Sequence, residues 1–148
     1  MYYKPKYFQV EELVPSLFYA KWGEKVLQFM DAGLLHDLDL IREELGLGII
    51  INNSSYNWSG LRTSDWEHYN ETSLHSLGKA VDFKLVAWVK GDLTTYSPDD
   101  VRELIMKMKK EGRLKYITGL ELKTGSWIHI DVRNREPNHE SGLFVFNP

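Results

Sequence analysis

Cysteine is absent from the 148 residues of this chain. That absence excludes disulfide staples, thiolate zinc fingers, iron–sulfur clusters and a cysteine nucleophile. Any metal must be held by His, Asp or Glu, and the five histidines are the nitrogen donors on offer. Long apolar runs are missing as well. The longest purely aliphatic run is Ile49-Ile50-Ile51, far short of the ~20 residues that span a bilayer. No apolar stretch follows the lysines of Met1-Tyr2-Tyr3-Lys4-Pro5-Lys6, so the N-terminus does not read as a secretory signal. Synthesis in the cytoplasm without a signal peptide is expected, and a substrate outside would be reached only after release. Positive charge is not in excess: 18 Lys and Arg stand against 21 Asp and Glu, a formal charge of −3. A general nucleic-acid binder would want a basic face, so nucleic acid is not an expected partner.

What is present suffices for one core. With 43% hydrophobic residues and no repeat, low-complexity tract or linker, residues 1–148 read as a single domain. A short helical turn is expected near residues 10–14. Residues 24–45 read as helix, interrupted near Gly33, with Leu34, Leu38, Ile41 and Leu45 on one stripe. Asp31 can cap its second part and Gly46 can stop it. Residues 48–52 read as a short buried strand and 79–89 as another. Ser97-Pro98-Asp99-Asp100 is a helix start, followed by a stripe of Val101, Leu104, Ile105 and Met108. Strands are then expected over 115–122 and 126–133, joined by the turn Lys123-Thr124-Gly125. Residues 143–146 read as an edge strand or as packing. This order predicts an α+β fold with a small, mostly antiparallel sheet and helices packed on one side. The polar, aromatic stretch 53–72 is too long for an idle loop in a compact domain and is read as functional.

The chemistry concentrates in Ser73-Leu74-His75-Ser76-Leu77-Gly78-Lys79-Ala80-Val81-Asp82. His75 and Asp82, seven apart, are not an i, i+3 or i, i+4 helix pair, and Gly78 breaks a helix, but a loop entering a strand can fold the histidine back over the carboxylate. Gly78 permits the turn and Ala80 leaves room above the sheet. In Trp127-Ile128-His129-Ile130-Asp131 the strand alternation turns Ile128 and Ile130 to the core and His129 to the opposite face. Two His and one Asp make three ligands and leave a fourth position for water, the open arrangement of a catalytic zinc. Arg62 is the expected clamp for a carboxylate or a developing oxyanion. Glu121 is the expected general base. In a three-residue turn Leu122 faces Ser126 and Glu121 faces Trp127, on the side of His129; a two-residue turn flips that parity. Asp131 is either a partner behind His129 or a strand-end residue in solvent, and is the next acid in line for the base. Ser73 is either a turn residue or a substrate contact. His36, His68 and His139 are set aside as ordinary partly buried or solvated residues. Trp58 and Trp66 could floor a substrate groove.

The pattern Ser73-x-His75-x-x-Gly78-x-Ala80-x-Asp82 with Trp127-x-His129 downstream resembles the zinc D-alanyl-D-alanine carboxypeptidase (DD-peptidase) family. That family includes phage endolysins that cut L-alanyl-D-glutamate bonds, and it shares its fold with Hedgehog signalling domains. The resemblance covers about residues 49–133. It implies a Hedgehog/DD-peptidase-like fold, zinc held by His75, Asp82 and His129, an arginine that Arg62 can match, and an acidic base. Many members place that acid three residues before the last histidine, where this chain has Ser126. Ile117-Thr118-Gly119-Leu120-Glu121 instead matches a phage-like variant with Glu121 as the acid. The function implied is zinc-dependent hydrolysis of a bond in peptidoglycan stem peptides by a monomer acting at the cell wall or in the periplasm. The alternative is a zinc-stabilised binding or structural module of the same fold without turnover.

Overall fold

The computed structural model describes residues 2–148. It is an α+β fold built on one mixed sheet of five strands in the order β1-β2-β4-β3-β5. The strands are β1 (Ile49–Ile50), β2 (Ala80–Leu85), β3 (Gly119–Glu121), β4 (Ile128–Asp131) and β5 (Phe144–Phe146). β1 with β2, β2 with β4 and β3 with β4 run antiparallel, while β5 lies parallel to β3. The helices are α1 (Ser16–Trp22), α2 (Ala32–Leu45), α3 (Val86–Lys90) and α4 (Pro98–Lys110). Among the described residues, no helix is long and apolar enough to cross a membrane.

The strands alternate as their sequences demand. Val81, Phe83 and Leu85 of β2, Leu120 of β3 and Ile128 and Ile130 of β4 are all buried. They join one apolar cluster with Leu34, Leu38, Ile41 and Leu45 of α2 and Val101, Ile105 and Met108 of α4. Each such aliphatic side chain removed from water contributes about 1.5–3 kcal/mol. The opposite face of β2 and β4 is thereby left to Asp82, Lys84 and His129.

Several boundaries differ from those the sequence suggests. The break in residues 24–45 falls at Met30–Asp31, between a 3-10 segment (Gly23–Phe29) and α2. Asp31 caps α2 by accepting from the Leu34 amide at 3.0 Å, and Gly46 ends it in the left-handed region. Gly33 lies inside the first turn of α2, where a Cβ would stand 2.4 Å from the Tyr116 ring; its role is close packing, not interruption. The expected strand 79–89 stops at Leu85 and turns into α3, whose Trp88 indole donates to the Tyr96 carbonyl at 2.7 Å. α1 follows Pro15 without a recognisable capping side chain. In α4, Leu104 is only partly buried, and Arg102 takes the buried place instead.

The tight hairpin over Lys123-Thr124-Gly125 is not formed. Gly119 pairs with Asp131 and Leu120 with Ile130, so the next step along the register sets Glu121 opposite His129, not Trp127. Residues 122–127 make a wider connection, and Leu122 does not face Ser126. Arg102 accounts for this. Its guanidinium donates to the carbonyls of Glu121 (3.2 Å), Thr124 (2.6 Å) and Trp127 (3.0 Å), which satisfies the loop backbone without a tight turn. The parity of Glu121 survives because the pairing differs from the expected one by two residues.

The approach to β3 is held by a buried charge. Asp37 of α2 is fully buried and accepts from the backbone amides of Lys115, Tyr116 and Ile117 at 3.3, 2.7 and 2.9 Å. Replacing it leaves three buried donors without an acceptor. Asp37→Ala is therefore expected to lower the free energy of unfolding by ~3 kcal/mol or more, measured by urea denaturation, through a residue that lies outside the candidate site.

Candidate metal centre

His75, Asp82 and His129 come together although His129 lies far along the chain from the other two. Asp82 and His129 are directly paired across β2 and β4. His75 is delivered by the turn that precedes β2. Gly78 in that turn has φ +67°, and a Cβ there would stand 1.7 Å from the Phe29 carbonyl oxygen, so no other residue fits. His75 is buried, whereas 12% of the His129 side chain and 16% of Asp82 remain exposed at the mouth.

The hydrogen bonds around the group decide which atoms face inward. His75 Nδ1 lies 2.9 Å from the Gly60 carbonyl oxygen. A carbonyl only accepts, so Nδ1 carries the proton and Nε2 presents its lone pair to the centre. His129 Nε2 lies 3.0 Å from Asp131 Oδ2, so that nitrogen also donates outward and Nδ1 points in. The inner nitrogens are 3.3 Å apart, and Asp82 stands 3.3 Å from His75 Nε2 and 2.7 Å from His129 Nδ1. Ligand atoms of a tetrahedral metal at about 2.0–2.1 Å are roughly 3.3 Å from one another. The donor set therefore suits a small divalent cation, and among the described residues it is the group of His, Asp and Glu with its ligand atoms in reach of one ion.

Without a metal, a proton fills the gap between His129 and Asp82. Burial opposes charge on His129, but hydrogen bonds to Asp131 and Asp82 and their negative charges outweigh it and raise the histidine to about 9. Asp82 moves the other way: burial would raise it, yet the hydrogen bonds and charges of His129 and His75 hold it well below the usual carboxylate range.

Asp131 proves to be the partner behind His129 and not a solvent residue. It is fully buried, and its carboxylate receives His129 Nε2 together with the Arg133 guanidinium, whose Nε lies 2.8 Å from Oδ1. Gly119 permits this approach, since a Cβ there would meet Asp131 Oδ1 at 2.0 Å. With both oxygens engaged, Asp131 is a poor fallback for a general base. A carboxylate behind a ligating histidine fixes its tautomer and orientation. Arg133 in turn lies over the Phe146 ring, 3.8 Å from its centroid.

A cavity of about 380 Å³ opens over the group and is lined by Arg62, Ser73, Glu121, Trp127 and Phe146 among others. Glu121 has no hydrogen-bond partner for its carboxylate among the described residues, and its backbone is pinned by Arg102. Arg62 is tied on two sides: Nε donates to the Trp58 carbonyl at 2.7 Å and Nη2 to Asp82 Oδ2 at 3.0 Å. Its guanidinium lies over Trp66, which stacks on Trp58 at 5.6 Å. The two tryptophans thus support Arg62 and do not line the cavity over the metal group. Ser73 reaches the cavity wall while its carbonyl accepts from the Leu77 amide at 3.2 Å, so turn and site positions coincide. Ser126 is exposed and lies outside this lining. His68 and His139 stand apart from the group; His36 packs between Tyr3 and Tyr116.

Arg102, Arg133 and Gly60 are contributors that pattern reading missed. Arg102 follows a helix start in a charged stretch, which ordinarily signals a solvated face. Arg133 offered a weak signal, because it alternates with His129 and Asp131 on one strand face. Gly60 acts through its carbonyl, which leaves no trace in residue type. No protein-family model, curated protein or solved structure matches the chain.

Two outcomes follow from the linked protonation. A group raised from 6.5 to about 9 on folding contributes stability that is complete below its unfolded value and lost as pH rises through the folded one. Asp82, depressed below its ordinary 3.8, contributes above that value and is lost as pH falls under it. Metal-free protein should be most stable between about pH 4 and 6.5 and lose up to roughly 3 kcal/mol by pH 9. Thermal melts across pH check this, and added zinc should abolish the alkaline decline because the metal replaces the proton. Asp131→Asn should weaken zinc affinity by about 10–100-fold, read by competition with a chromogenic chelator.

Proposed function

We propose that this protein is a zinc-dependent peptidase that hydrolyses a bond in peptidoglycan stem peptides, of D-alanyl-D-alanine carboxypeptidase or L-alanyl-D-glutamate endopeptidase type. The observation that carries this reading is the convergence of three inward-facing ligand atoms beneath an open cavity that also holds an unpaired carboxylate, Glu121. A structural zinc site closes all four positions, whereas this group offers three ligands and a mouth. The resemblance of the His75–Asp82 and Trp127–His129 motifs to the DD-peptidase family supports the substrate class and a Hedgehog/DD-peptidase-like arrangement of the sheet.

Zinc held by His75, Asp82 and His129 would supply a Lewis acid for the scissile carbonyl and lower the pKa of the attacking water. Glu121 stands opposite His129 on the same sheet face, takes a proton from water and returns it to the leaving amine. Its carboxylate stays available because Arg102 holds the backbone, not the side chain. Arg62 presents Nη1, which has no protein partner among the described residues, to the developing oxyanion or to a substrate carboxylate. Its tie to Asp82 keeps the guanidinium beside the metal group. Ser73 at the rim offers a hydroxyl to the peptide backbone. A protein of this kind acts at the cell wall or in the periplasm.

The test is metal analysis of purified protein together with digestion of muropeptides. Wild type should hold one zinc and release peptide product. His75→Ala should lose the metal. Glu121→Gln should keep it and lose activity by about 10²–10⁴-fold. Zinc without product from any stem peptide would favour the non-catalytic module instead.

A further inference from the structure

The site-facing row of the sheet does not end at the metal group. Asp82 and Lys84 point to the same face of β2, two residues apart. Asp82 pairs with His129, so the next position on that face sets Lys84 beside Trp127, while Ile50 of β1 pairs with Lys84 from the other side. Over this second row lies a cavity of about 400 Å³, walled by Ile50, Ile51, Val89 and Trp127 and bordered by Lys84. Arg62, Asp82 and Trp127 line both this cavity and the one over the metal group, so the two are immediate neighbours.

Its electrostatics are one-sided. Three charged side chains line it: Arg62, Asp82 and Lys84. Asp82 is already met by Arg62 at 3.0 Å and by His129 at 2.7 Å. No ion pair or hydrogen bond engages the Lys84 ammonium among the described residues. An apolar-walled pocket of this size suits one or two residues of a peptide, and an unpaired cation on its wall suits an anion.

Resting on the peptidase reading above, we propose that this cavity is a subsite in which Lys84 binds a carboxylate of the substrate while the apolar walls cover the carbon chain that bears it. The carboxylate has two possible sources: an acidic residue within the peptide or the C-terminus of the peptide. The first makes the cut internal to the chain; the second makes it a trimming of the end.

The experiment measures binding, so that it does not depend on turnover. Zinc-loaded Glu121→Gln protein is titrated calorimetrically with the pentapeptide L-Ala-γ-D-Glu-L-Lys-D-Ala-D-Ala, with the same peptide amidated at the glutamate α-carboxylate, and with the same peptide amidated at the C-terminus. One of the two amidations should weaken binding about tenfold or more, and which one does so names the source. With Lys84→Met added, that amidation should change Kd less than twofold; with Lys84→Arg added, the preference should return. Zinc content and the melting temperature show that each variant is folded. The proposal is overturned if neither amidation matters, if the preference is the same without Lys84, or if none of the three peptides binds. Failure of wild type to cut any of them overturns the peptidase reading separately and leaves the binding result legible.

Discussion

Everything at this site depends on where the outward nitrogens of two histidines are tied. The Gly60 carbonyl accepts from His75 Nδ1–H and the Asp131 carboxylate from His129 Nε2–H. The two inner nitrogens are then forced to face each other and a carboxylate across 2.7–3.3 Å. Such a concentration of lone pairs is unfavourable unless a cation sits among them. A proton suffices in the metal-free protein, and a divalent ion satisfies three atoms at once. The fold sustains this frustration because each tie is itself anchored: Gly60 packs on the Leu13 carbonyl, and Asp131 is locked by Arg133 and by the bare face of Gly119.

The elements that owe their form to local chemistry were legible. Ser97 through Asp100 makes the capping box of α4, and Asp31 and Gly46 bound α2, because capping residues and left-handed glycines act within a few positions. The His75–Asp82 pair and the outward turn of His129 were legible for a similar reason: alternation in a strand with Ile128 and Ile130 leaves one orientation. The register of β3 on β4 was not. It is set by Arg102, which reaches from α4 to three carbonyls of the 122–127 connection, and nothing in the local sequence of that connection reports a guanidinium from elsewhere. The same holds for α3: the apolar run after Leu85 fits a strand or a helix, and the Trp88 indole is engaged by the distant Tyr96 carbonyl.

The sheet arranges the candidate chemistry as rows, not as a scattered cluster. Phe146, Glu121, His129 and Asp82 lie along one row across β5, β3, β4 and β2, by the register of successive pairs. Trp127, Lys84 and Ile50 form the next row toward β1. One row holds two of the three candidate metal ligands and the free carboxylate, and the neighbouring row holds a cation over apolar walls.

The grip of Arg102 on the connection before β4 has a further consequence for how this chain can vary. Within the connection the guanidinium holds main-chain oxygens and the Thr124 hydroxyl, while its Nη1 donates to Asp99 of α4 at 2.7 Å. Gly125 and Ser126 are exposed and take no part in the grip. Substitutions at these two positions can accumulate, by drift or by design, without shifting the carboxylate of Glu121. These two positions thus form a neutral surface that could accept a new contact while Glu121 beneath it stays in register.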